Sequence, residues 1–539
     1  MDSSTIEFTP ANAMQSTSLV AYQSRGHCLV IGPLDQALAA ASKLDTAAQT
    51  VLVPVTNTQE IKKRATEDGI TVVEADALLL TGYLGAFACA IGDAESPGSL
   101  AKLANVSLLG GFDLVLDLNA SPMIQTEVLP FGYLAPDDNE DALNEAIAEL
   151  EQLQGDFEKP KYFEYDASIC AHSRSSITAC TRCLDVCGTG AIKSNGEGIS
   201  IEPYLCQGCG SCATNCPSGA VRYAYPSPAD ALTQLTELLQ TRKAQTKTVI
   251  YLHDAEGGAE KVASFGSELS DNVLPLSVEE VASVGIDVWL ASIAYGVAAV
   301  VIDAPAEDTG ARRALTAQSN TANSILQGLD LGARIHLVEA PDAGAVNQLA
   351  EMDYHSIPSA TFKSFNDKRQ TVRAATDHLQ QHSPKKTAAI DLTDQSAFGE
   401  VKVDDSACTL CLACVTVCPG RALQDGETLP QLKFIESQCL QCGLCEKACP
   451  ENAISLSPRY LYDSETARKP RILNEEEPFN CVVCNTPFAT HRIIGRMQAK
   501  LSEHWMFKSD QAVRRLKMCE DCRVKDIFND DKSGIDVHR

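Results

Sequence analysis

The cysteines of this 539-residue chain limit most strongly what it can fold into. There are 22 of them, and all but Cys28 and Cys89 fall in close-spaced groups within residues 170–216, 408–449 and 481–522. Disulfide frameworks are typical of short secreted chains, whereas grouped cysteines in a long chain indicate metal ligation in a reducing compartment. The two isolated cysteines lie in apolar segments and are expected to be small core residues.

The cysteine spacing repeats along the chain. The cysteines at 180, 183 and 187 recur 231 residues later, and those at 206, 209, 212 and 216 recur 233 residues later. The repeat divides the chain into a first α/β domain (1–158), a first cysteine-rich module (159–227), a second α/β domain (228–395), a second module (396–462) and a C-terminal tail (463–539).

Three runs in the modules place four cysteines in the spacing C-x2-C-x2-C-x3-C before a proline, beginning at Cys206, Cys408 and Cys439. Three thiolates on a short turning loop can each reach one iron of a [4Fe–4S] cluster, while the fourth faces a second cluster. Zinc sites do not use crossed runs of four cysteines, so iron–sulfur clusters are favoured.

These runs resemble those of bacterial two-cluster ferredoxins. In the second module the resemblance implies one cluster on group 3 and another on group 4. Group 3 is Cys408, Cys411, Cys414 and Cys449; group 4 is Cys418, Cys439, Cys442 and Cys445.

The first module departs from the pattern at its first ligand. Ile177 stands where a cysteine is expected, and the nearest one is Cys170, across the insertion AHSRSSITA. Either Cys170 completes the cluster over a longer loop, or the cluster has three cysteine ligands with His172 or solvent as the fourth. Because [4Fe–4S] clusters generally take four thiolates, we expect Cys170. The predicted sets are group 1 (Cys170, Cys180, Cys183 and Cys216) and group 2 (Cys187, Cys206, Cys209 and Cys212).

The tail carries two further pairs, CVVC and CEDC, separated by 34 residues. Two such pairs form a four-thiolate site whose usual occupant is zinc, and we expect a structural Zn²⁺. A fifth iron–sulfur centre and unligated thiols are the alternatives. We call these four residues the tail group: Cys481, Cys484, Cys519 and Cys522. The charged stretch DSETARKPRILNEEEP before them is expected to be a linker.

Outside the cysteine groups, apolar runs alternate with helical stretches. In the first domain CLVIGPL, TVLVPV, ITVVEA and FDLVLDL predict strands, while DQALAAASKL and residues 141–153 predict helices. In the second, TKTVIYLHD, AVVID and RIHLVEA predict strands around the helical segments SVEEVASVGIDVWLASIAYG and ARRALTAQSNTANSILQGL. This alternation predicts parallel sheets. The fold class is thus α/β plus α+β: two parallel-sheet domains, each followed by a two-cluster ferredoxin-like module, and a zinc-type tail.

Neither α/β domain carries the G-x-G-x-x-G fingerprint of dinucleotide binding, since the first offers only Gly32 after a strand. A flavin is therefore not expected. The segment VLPLSVEEVASVGIDVWLASIAYGVAAVVI, with Gly296 and Val297, resembles the flavodoxin-like delta subunit of methyl-viologen-reducing hydrogenase. That resemblance implies a partner-docking scaffold, although the [2Fe–2S] cysteines of the family are missing here.

Net charge and hydropathy limit the classes of partner and the cellular locations that are expected for the chain. Lys and Arg number 44 against 71 Asp and Glu, which gives a formal net charge of −27. Such a surface repels nucleic acids and anionic lipids and favours a neutral or basic protein partner. The most apolar stretch, Trp289–Ile302, is too short to span a bilayer. The first residues lack the pattern of a signal peptide, so a cytoplasmic location is predicted.

Taken as a whole, the chain resembles the multicluster ferredoxin-like proteins that accompany formate dehydrogenases and hydrogenase-type complexes. The resemblance rests on the domain order and on CTRCLDVC, CQGCGSCATNCPSGA and MCEDCRV. It implies an electron-relay role without naming the donor. The leading hypothesis is an electron-transfer protein or subunit that relays electrons through four [4Fe–4S] clusters to or from a partner oxidoreductase, because the sequence contains four cluster sets and no recognisable arrangement of catalytic residues. The alternatives are an oxidoreductase subunit with flavin in the first domain and a factor that donates clusters to other proteins.

Overall fold

The computed structural model describes residues 6–7, 18–55, 61–93, 96–104, 111–241, 247–363, 365, 367–427, 429–501 and 503–529. Within these ranges no helix has both the length and the apolar character that crossing a membrane requires. The architecture mixes α/β sheets with two modules of short strands and helices, so the α/β character and the parallel sheets expected from the sequence are confirmed.

The first domain is an α/β unit with a six-stranded main sheet. Its helices are α1 (Leu34–Lys43), α2 (Leu100–Ala104) and α3 (Glu140–Gln152). The strands up to residue 160 are β1 (Ile6–Glu7), β2 (Leu19–Ser24), β3 (His27–Ile31), β4 (Ala48–Pro54), β5 (Lys62–Ala65), β6 (Thr71–Ala75), β7 (Ala77–Thr81), β8 (Ala88–Asp93), β9 (Ser96–Ser99), β10 (Leu114–Asp117), β11 (Tyr133–Leu134) and β12 (Gly155–Pro160).

The main sheet has the strand order β11-β10-β3-β4-β6-β5. All neighbours pair in parallel except β5, which closes one edge antiparallel to β6. Strands β3 and β10 are almost wholly buried, which explains their continuous apolar sequences. Cys28 on β3 and Cys89 on β8 are buried, as expected for core residues.

The first module consists of short strands around two short helices. The helices are α4 (Arg182–Asp185) and α5 (Ser211–Asn215), and a 3₁₀ turn covers Ala167–Ile169. The strands are β13 (Phe163–Tyr165), β14 (Ser173–Arg174), β15 (Ile177–Thr178), β16 (Ile192–Ser194), β17 (Ile199–Ile201) and β18 (Val221–Tyr223).

The second α/β domain contains a parallel sheet in the order β1-β20-β19-β21-β22, so the N-terminal strand of the chain joins it. Its own four strands thus follow the order 2-1-3-4, which is typical of flavodoxin-like sheets. The strands are β19 (Val249–Asp254), β20 (Val273–Val278), β21 (Ala299–Ala304) and β22 (Ile335–Glu339). The helices are α6 (Pro228–Thr241), α7 (Gly258–Phe265), α8 (Ile286–Ala294), α9 (Gly310–Gly328), α10 (Ala343–Ala350) and α11 (Lys368–His382).

Strand β20 is not predicted from the sequence. Its segment VLPLSV contains Pro275, and a proline usually marks a strand edge or end. Pro275 pairs with Tyr251 of β19, and the described pairing of β20 with β1 begins at Leu276. The helical prediction SVEEVASVGIDVWLASIAYG is correspondingly too long, because α8 begins at Ile286.

The second module repeats the plan of the first, with the helices α12 (Ala413–Thr416) and α13 (Leu444–Ala448). Its strands are β23 (Ala389–Asp391), β24 (Gly399–Val403), β25 (Leu423–Asp425), β26 (Gln431–Phe434) and β27 (Ile454–Leu461). The tail follows with α14 (Ser464–Arg468), β28 (Arg471–Glu475), β29 (Pro478–Asn480), β30 (Pro487–Thr490), α15 (His491–Leu501), α16 (Asp510–Arg515) and α17 (Glu520–Phe528).

The charged segment expected to be a linker is instead part of the second module, so that prediction is wrong. It forms α14 and β28, and β28 pairs antiparallel with β26. The reason is electrostatic, because Arg471 forms ion pairs with Glu400 at 2.9 Å and Glu436 at 2.8 Å, and Arg459 pairs with the same two carboxylates. The charges therefore tie β28 to the module rather than keep it in solvent.

We expect Glu436→Gln to destabilise the second module locally by about 3 kcal/mol, because it leaves two partly buried arginines with one carboxylate. The free energy of local opening of β26 and β28, from native-state hydrogen exchange, measures this change. Glu465→Gln is the matched control, since Glu465 pairs with Lys469 at the exposed surface and should change stability by less than about 0.5 kcal/mol. Equal effects of the two substitutions would contradict the role given to Glu436.

Candidate iron–sulfur and metal centres

The four cysteines of group 1 line one cavity, together with Arg182. Cys170 follows the 3₁₀ turn, Cys183 lies on α4 and Cys216 follows α5. Burial raises the pKa of Cys183, and the thiols of Cys216, Cys180 and Cys170 raise it further. Buried thiols this close become thiolates only when metal cations hold them, so the cavity fits an iron–sulfur cluster.

His172 lines the same cavity, but protein atoms engage both of its ring nitrogens. Nδ1 lies 2.7 Å from the carbonyl oxygen of Cys180, and Nε2 lies 2.8 Å from Oγ of Ser194. The imidazole is also buried. This arrangement fits the interpretation in which Cys170, not His172, is the fourth ligand.

We expect Cys170→Ala to leave three thiolates at group 1 and to convert its cluster to a labile or [3Fe–4S] form. Electron paramagnetic resonance of the oxidised variant, together with iron analysis, checks this result. Group 2 should keep its cluster in the same protein. His172→Ala is the control and should leave the iron content unchanged; loss of iron in this variant but not in Cys170→Ala would identify the histidine as the ligand.

The insertion between Cys170 and Cys180 is a β-hairpin. Strands β14 and β15 pair around Ser175 and Ser176, which both adopt positive φ angles of 51° and 62°. Such angles are those of a tight two-residue hairpin turn. Nζ of Lys447 in the second module donates a hydrogen bond to the carbonyl of Thr178 at 2.8 Å. The insertion therefore contacts the second module beside group 1.

The group 2 cysteines are also brought together, around the loop between β17 and α5. Burial, with smaller contributions from the thiols of Cys209 and Cys187, raises the pKa of Cys206 to about 11. The loop turns at Gly210, whose φ is 76° and where a Cβ would lie 2.3 Å from Cα of Ser283 in the second α/β domain. Only glycine fits this position, which places α5 directly against that domain.

Groups 3 and 4 each line a cavity of their own in the second module. Burial, with smaller contributions from Cys408, Cys411 and Cys449, raises the pKa of Cys414 to about 12. The structure thus gathers all sixteen module cysteines into the four sets expected from the sequence. That each set binds a cluster stays a prediction.

Hydrogen bonds to the cysteine sulfur atoms support the assignment of these cysteines as cluster ligands. The backbone N–H groups of Ala422 and Ala453 donate to the Sγ atoms of Cys418 at 3.2 Å and Cys449 at 3.3 Å, both four residues earlier. Nε2 of Gln441 donates to Sγ of Cys439 at 3.3 Å. Hydrogen bonds of this kind stabilise cluster thiolates and tune their potentials.

Within each module, the two groups are neighbours. Burial is the main cause of the raised pKa of Cys212 in group 2, and Cys183 of group 1 contributes to it. In the second module burial likewise raises the pKa of Cys445 in group 4, with a contribution from Cys414 of group 3. Each module therefore holds two adjacent sites.

Groups 1 and 4 are neighbours across the module boundary. Burial raises the pKa of Cys442 in group 4 to about 12, and Cys180 of group 1 contributes after the cysteines of its own group. Beside them, Nη2 of Arg182 donates to the carbonyl of Ser396 at 2.8 Å. Nη1 of Arg182 is buried without a hydrogen-bond partner among the described residues. The spatial order of the groups is thus 2, 1, 4, 3.

Adjacent residues at the start of α11 connect both modules. Nζ of Lys368 donates to the carbonyls of Ala213, at 3.0 Å, and Thr214 in the first module. Nη2 of Arg369 donates to the carbonyl of Cys439 in the second at 2.7 Å. These residues and Arg182 are not predicted from the sequence, because their partners are backbone carbonyls and distant thiols that leave no local pattern.

The tail group has a different geometry from the module groups. Its four sulfur atoms all lie within 4.8 Å of one another, and Sγ of Cys484 is 3.6 Å from Sγ of Cys519. Four thiolates around a single zinc ion at 2.3 Å are separated by about 3.8 Å. The tail group could therefore hold one metal ion.

Comparison with known protein families identifies both modules. A family model described as a 4Fe–4S dicluster domain matches residues 150–220. A 4Fe–4S binding domain matches residues 401–424 and 432–455. No curated protein matches the chain. Both cysteine-rich modules are therefore 4Fe–4S ferredoxin-type domains, which point to iron–sulfur electron transfer and imply a redox partner.

Proposed function

We propose that this chain carries electrons through four [4Fe–4S] clusters in series, in the order group 2, group 1, group 4, group 3. Each cluster, when bound, supplies a site for one electron. The observation that carries the proposal is the contact between the two modules beside groups 1 and 4, where Nζ of Lys447 donates to the carbonyl of Thr178 and Nη2 of Arg182 donates to the carbonyl of Ser396. Without that contact the modules would act as two separate carriers.

Arg182 supports this order through its position. It lines the group 1 cavity, and its hydrogen bond to Ser396 directs it toward the second module. A buried positive charge stabilises the negative charge that reduction adds to either neighbouring site. Its unpartnered Nη1 is a donor suited to an anionic group at the same place.

The α/β domains serve in this proposal as scaffolds that fix the modules. The carboxylate of Glu127 in the first domain accepts a hydrogen bond from the backbone of Gly310 at 2.8 Å and pairs with Arg313 at 2.7 Å, both on α9 of the second domain. Nζ of Lys159 donates to the carbonyl of Cys206 at 2.6 Å. These contacts hold group 2 between the two domains.

The tail group is proposed to bind a structural zinc ion, on the basis of its four mutually close thiols. The partner is proposed to be an oxidoreductase of the formate dehydrogenase or hydrogenase type, in line with the domain order and the motifs of the sequence. The chain itself would then contribute no substrate site.

Repeated reduction and oxidation of the anaerobically purified protein tests this function. We expect the iron–sulfur absorbance to bleach and recover over several cycles without loss of iron. A cluster-donating factor would instead lose iron to an added apo-protein. Flavin released on denaturation would favour the flavin-dependent alternative and contradict the scaffold role of the first domain.

A further inference from the structure

The tail exposes an unusual share of apolar side chains. Of the 17 large hydrophobic side chains exposed in the described parts of the chain, seven lie in residues 478–529. Trp505 is 74% exposed and Phe528 is 79% exposed. The six that we call the tail face are Val482, Val483, Trp505, Val524, Ile527 and Phe528.

Several contacts bring the loop and helix parts of the tail face together, and Trp505 lies in the 3₁₀ turn before α16. Val524, Ile527 and Phe528 are spaced i, i+3, i+4 and lie on one side of α17. The close thiols of the tail group set the Val482–Val483 loop beside the start of that helix. The ion pair between Arg515 and Asp526 at 2.7 Å holds α16 against α17.

The segment 478–529 within the tail has a formal charge opposite in sign to that of the chain as a whole. Residues 478–529 contain nine Lys and Arg against five Asp and Glu, a formal charge of +4, whereas the whole chain carries −27. Lys500, Lys508 and Lys525 are exposed. Exposed aromatic side chains on a segment with an excess of positive charge are typical of a protein-binding surface that recognises an acidic partner.

The tail lies against group 3. Oγ1 of Thr490 donates to the carbonyl of Thr409 at 3.0 Å, and Nη1 of Arg492 donates to the carbonyl of Cys408 at 3.2 Å. Cys411 of group 3 is the only exposed member of the sixteen module cysteines, all of which lie in described residues. The tail, which carries the tail face, is therefore packed beside the most accessible group.

We propose that the tail face docks an acidic electron-carrier protein and places it beside group 3, a proposal that rests on the proposed function. The reduced carrier gives up one electron and is oxidised, and the chain accepts that electron and is reduced. Group 3 is thus the end of the series at which this carrier exchanges electrons.

The salt dependence of the reduction rate distinguishes docking at the tail face from random encounters with the acidic surface of the chain. An acidic carrier that met the chain at random would be repelled by its charge of −27, so added salt would speed the reaction. Docking at the basic tail face has the opposite salt dependence, so that added salt slows the reaction. We expect the rate of reduction by a purified acidic flavodoxin to fall about tenfold between about 20 and 300 mM NaCl.

Reversing the charge of exposed lysines in the tail tests whether the carrier docks at the tail face. Lys500→Glu/Lys508→Glu/Lys525→Glu should slow the reaction about tenfold at low salt and weaken flavodoxin binding, measured by calorimetry, to a similar extent. The matched control is Lys102→Glu/Lys363→Glu/Lys385→Glu, which changes the net charge equally at exposed lysines of the α/β domains and their connections. It should stay within about twofold of the native protein.

Three results would overturn the proposal: a native rate that rises with salt, equal slowing in both triple variants, or tighter binding of single-stranded RNA or phosphatidylglycerol vesicles than of flavodoxin. Calorimetry with oxidised flavodoxin reports docking without electron transfer. Failure of a small-molecule reductant to reduce the chain would count against the proposed function alone.

Discussion

Replacing Arg182 by leucine should lower the reduction potentials of the clusters at groups 1 and 4, because it removes a buried positive charge between them. At an effective dielectric constant near 20 and a separation of several ångströms, the lost interaction is about 1–2 kcal/mol. For a one-electron couple this corresponds to roughly 40–90 mV. Redox titration followed by electron paramagnetic resonance measures the change.

Two comparisons make this result specific. Arg182→Lys keeps the charge and should shift the potentials by less than half as much, although it loses the second hydrogen-bond donor of the guanidinium. The clusters at groups 2 and 3, which are not adjacent to Arg182, should change little. Equal shifts at all four sites, or no shift at any, would show that Arg182 does not act between the modules.

Removal of the tail metal is expected to unfold the tail while the modules keep their iron. Among the described residues 478–529, the buried apolar side chains are only Cys481, Ile494, Leu516 and Met518. So small a core does not hold a fold without a metal or disulfide. Structural zinc supplies about 10–16 kcal/mol in small zinc-binding peptides, far more than this core.

Cys519→Ala should therefore reduce the zinc content from about one to near zero per chain and raise hydrogen-exchange rates in α15–α17 by orders of magnitude. The control is Cys89→Ala, which removes a buried cysteine of the first domain and should leave the zinc and the tail unchanged. A tail that keeps its exchange protection without metal would contradict the structural role of the ion.

The sequence predicts the cysteine groups well because their chemistry depends on local spacing. The runs of four cysteines fix which thiols share a loop, and the structure brings the same sets together, including Cys170 across its hairpin. The strands β3, β4, β6 and β10 are predicted for a similar reason, since buried parallel strands have continuous apolar sequences.

Features that depend on distant partners are not predicted. Arg471 belongs to a charged segment that resembles a linker until Glu400 and Glu436 are placed beside it. Lys368 and Arg369 look like surface residues of a helix start, yet each reaches backbone carbonyls of a different module. The adjacency of groups 1 and 4 likewise arises from packing between modules, which spacing within one module cannot encode.

Iron and acid-labile sulfide analysis of anaerobically purified protein tests the central claim most directly. Four [4Fe–4S] clusters predict about sixteen iron and sixteen sulfide per chain, with one zinc in addition. The double variant Cys183→Ser/Cys212→Ser, which removes one ligand from each group of the first module, should retain about eight iron. About eight iron in the native protein would mean that only one module binds clusters, and it would contradict a series of four.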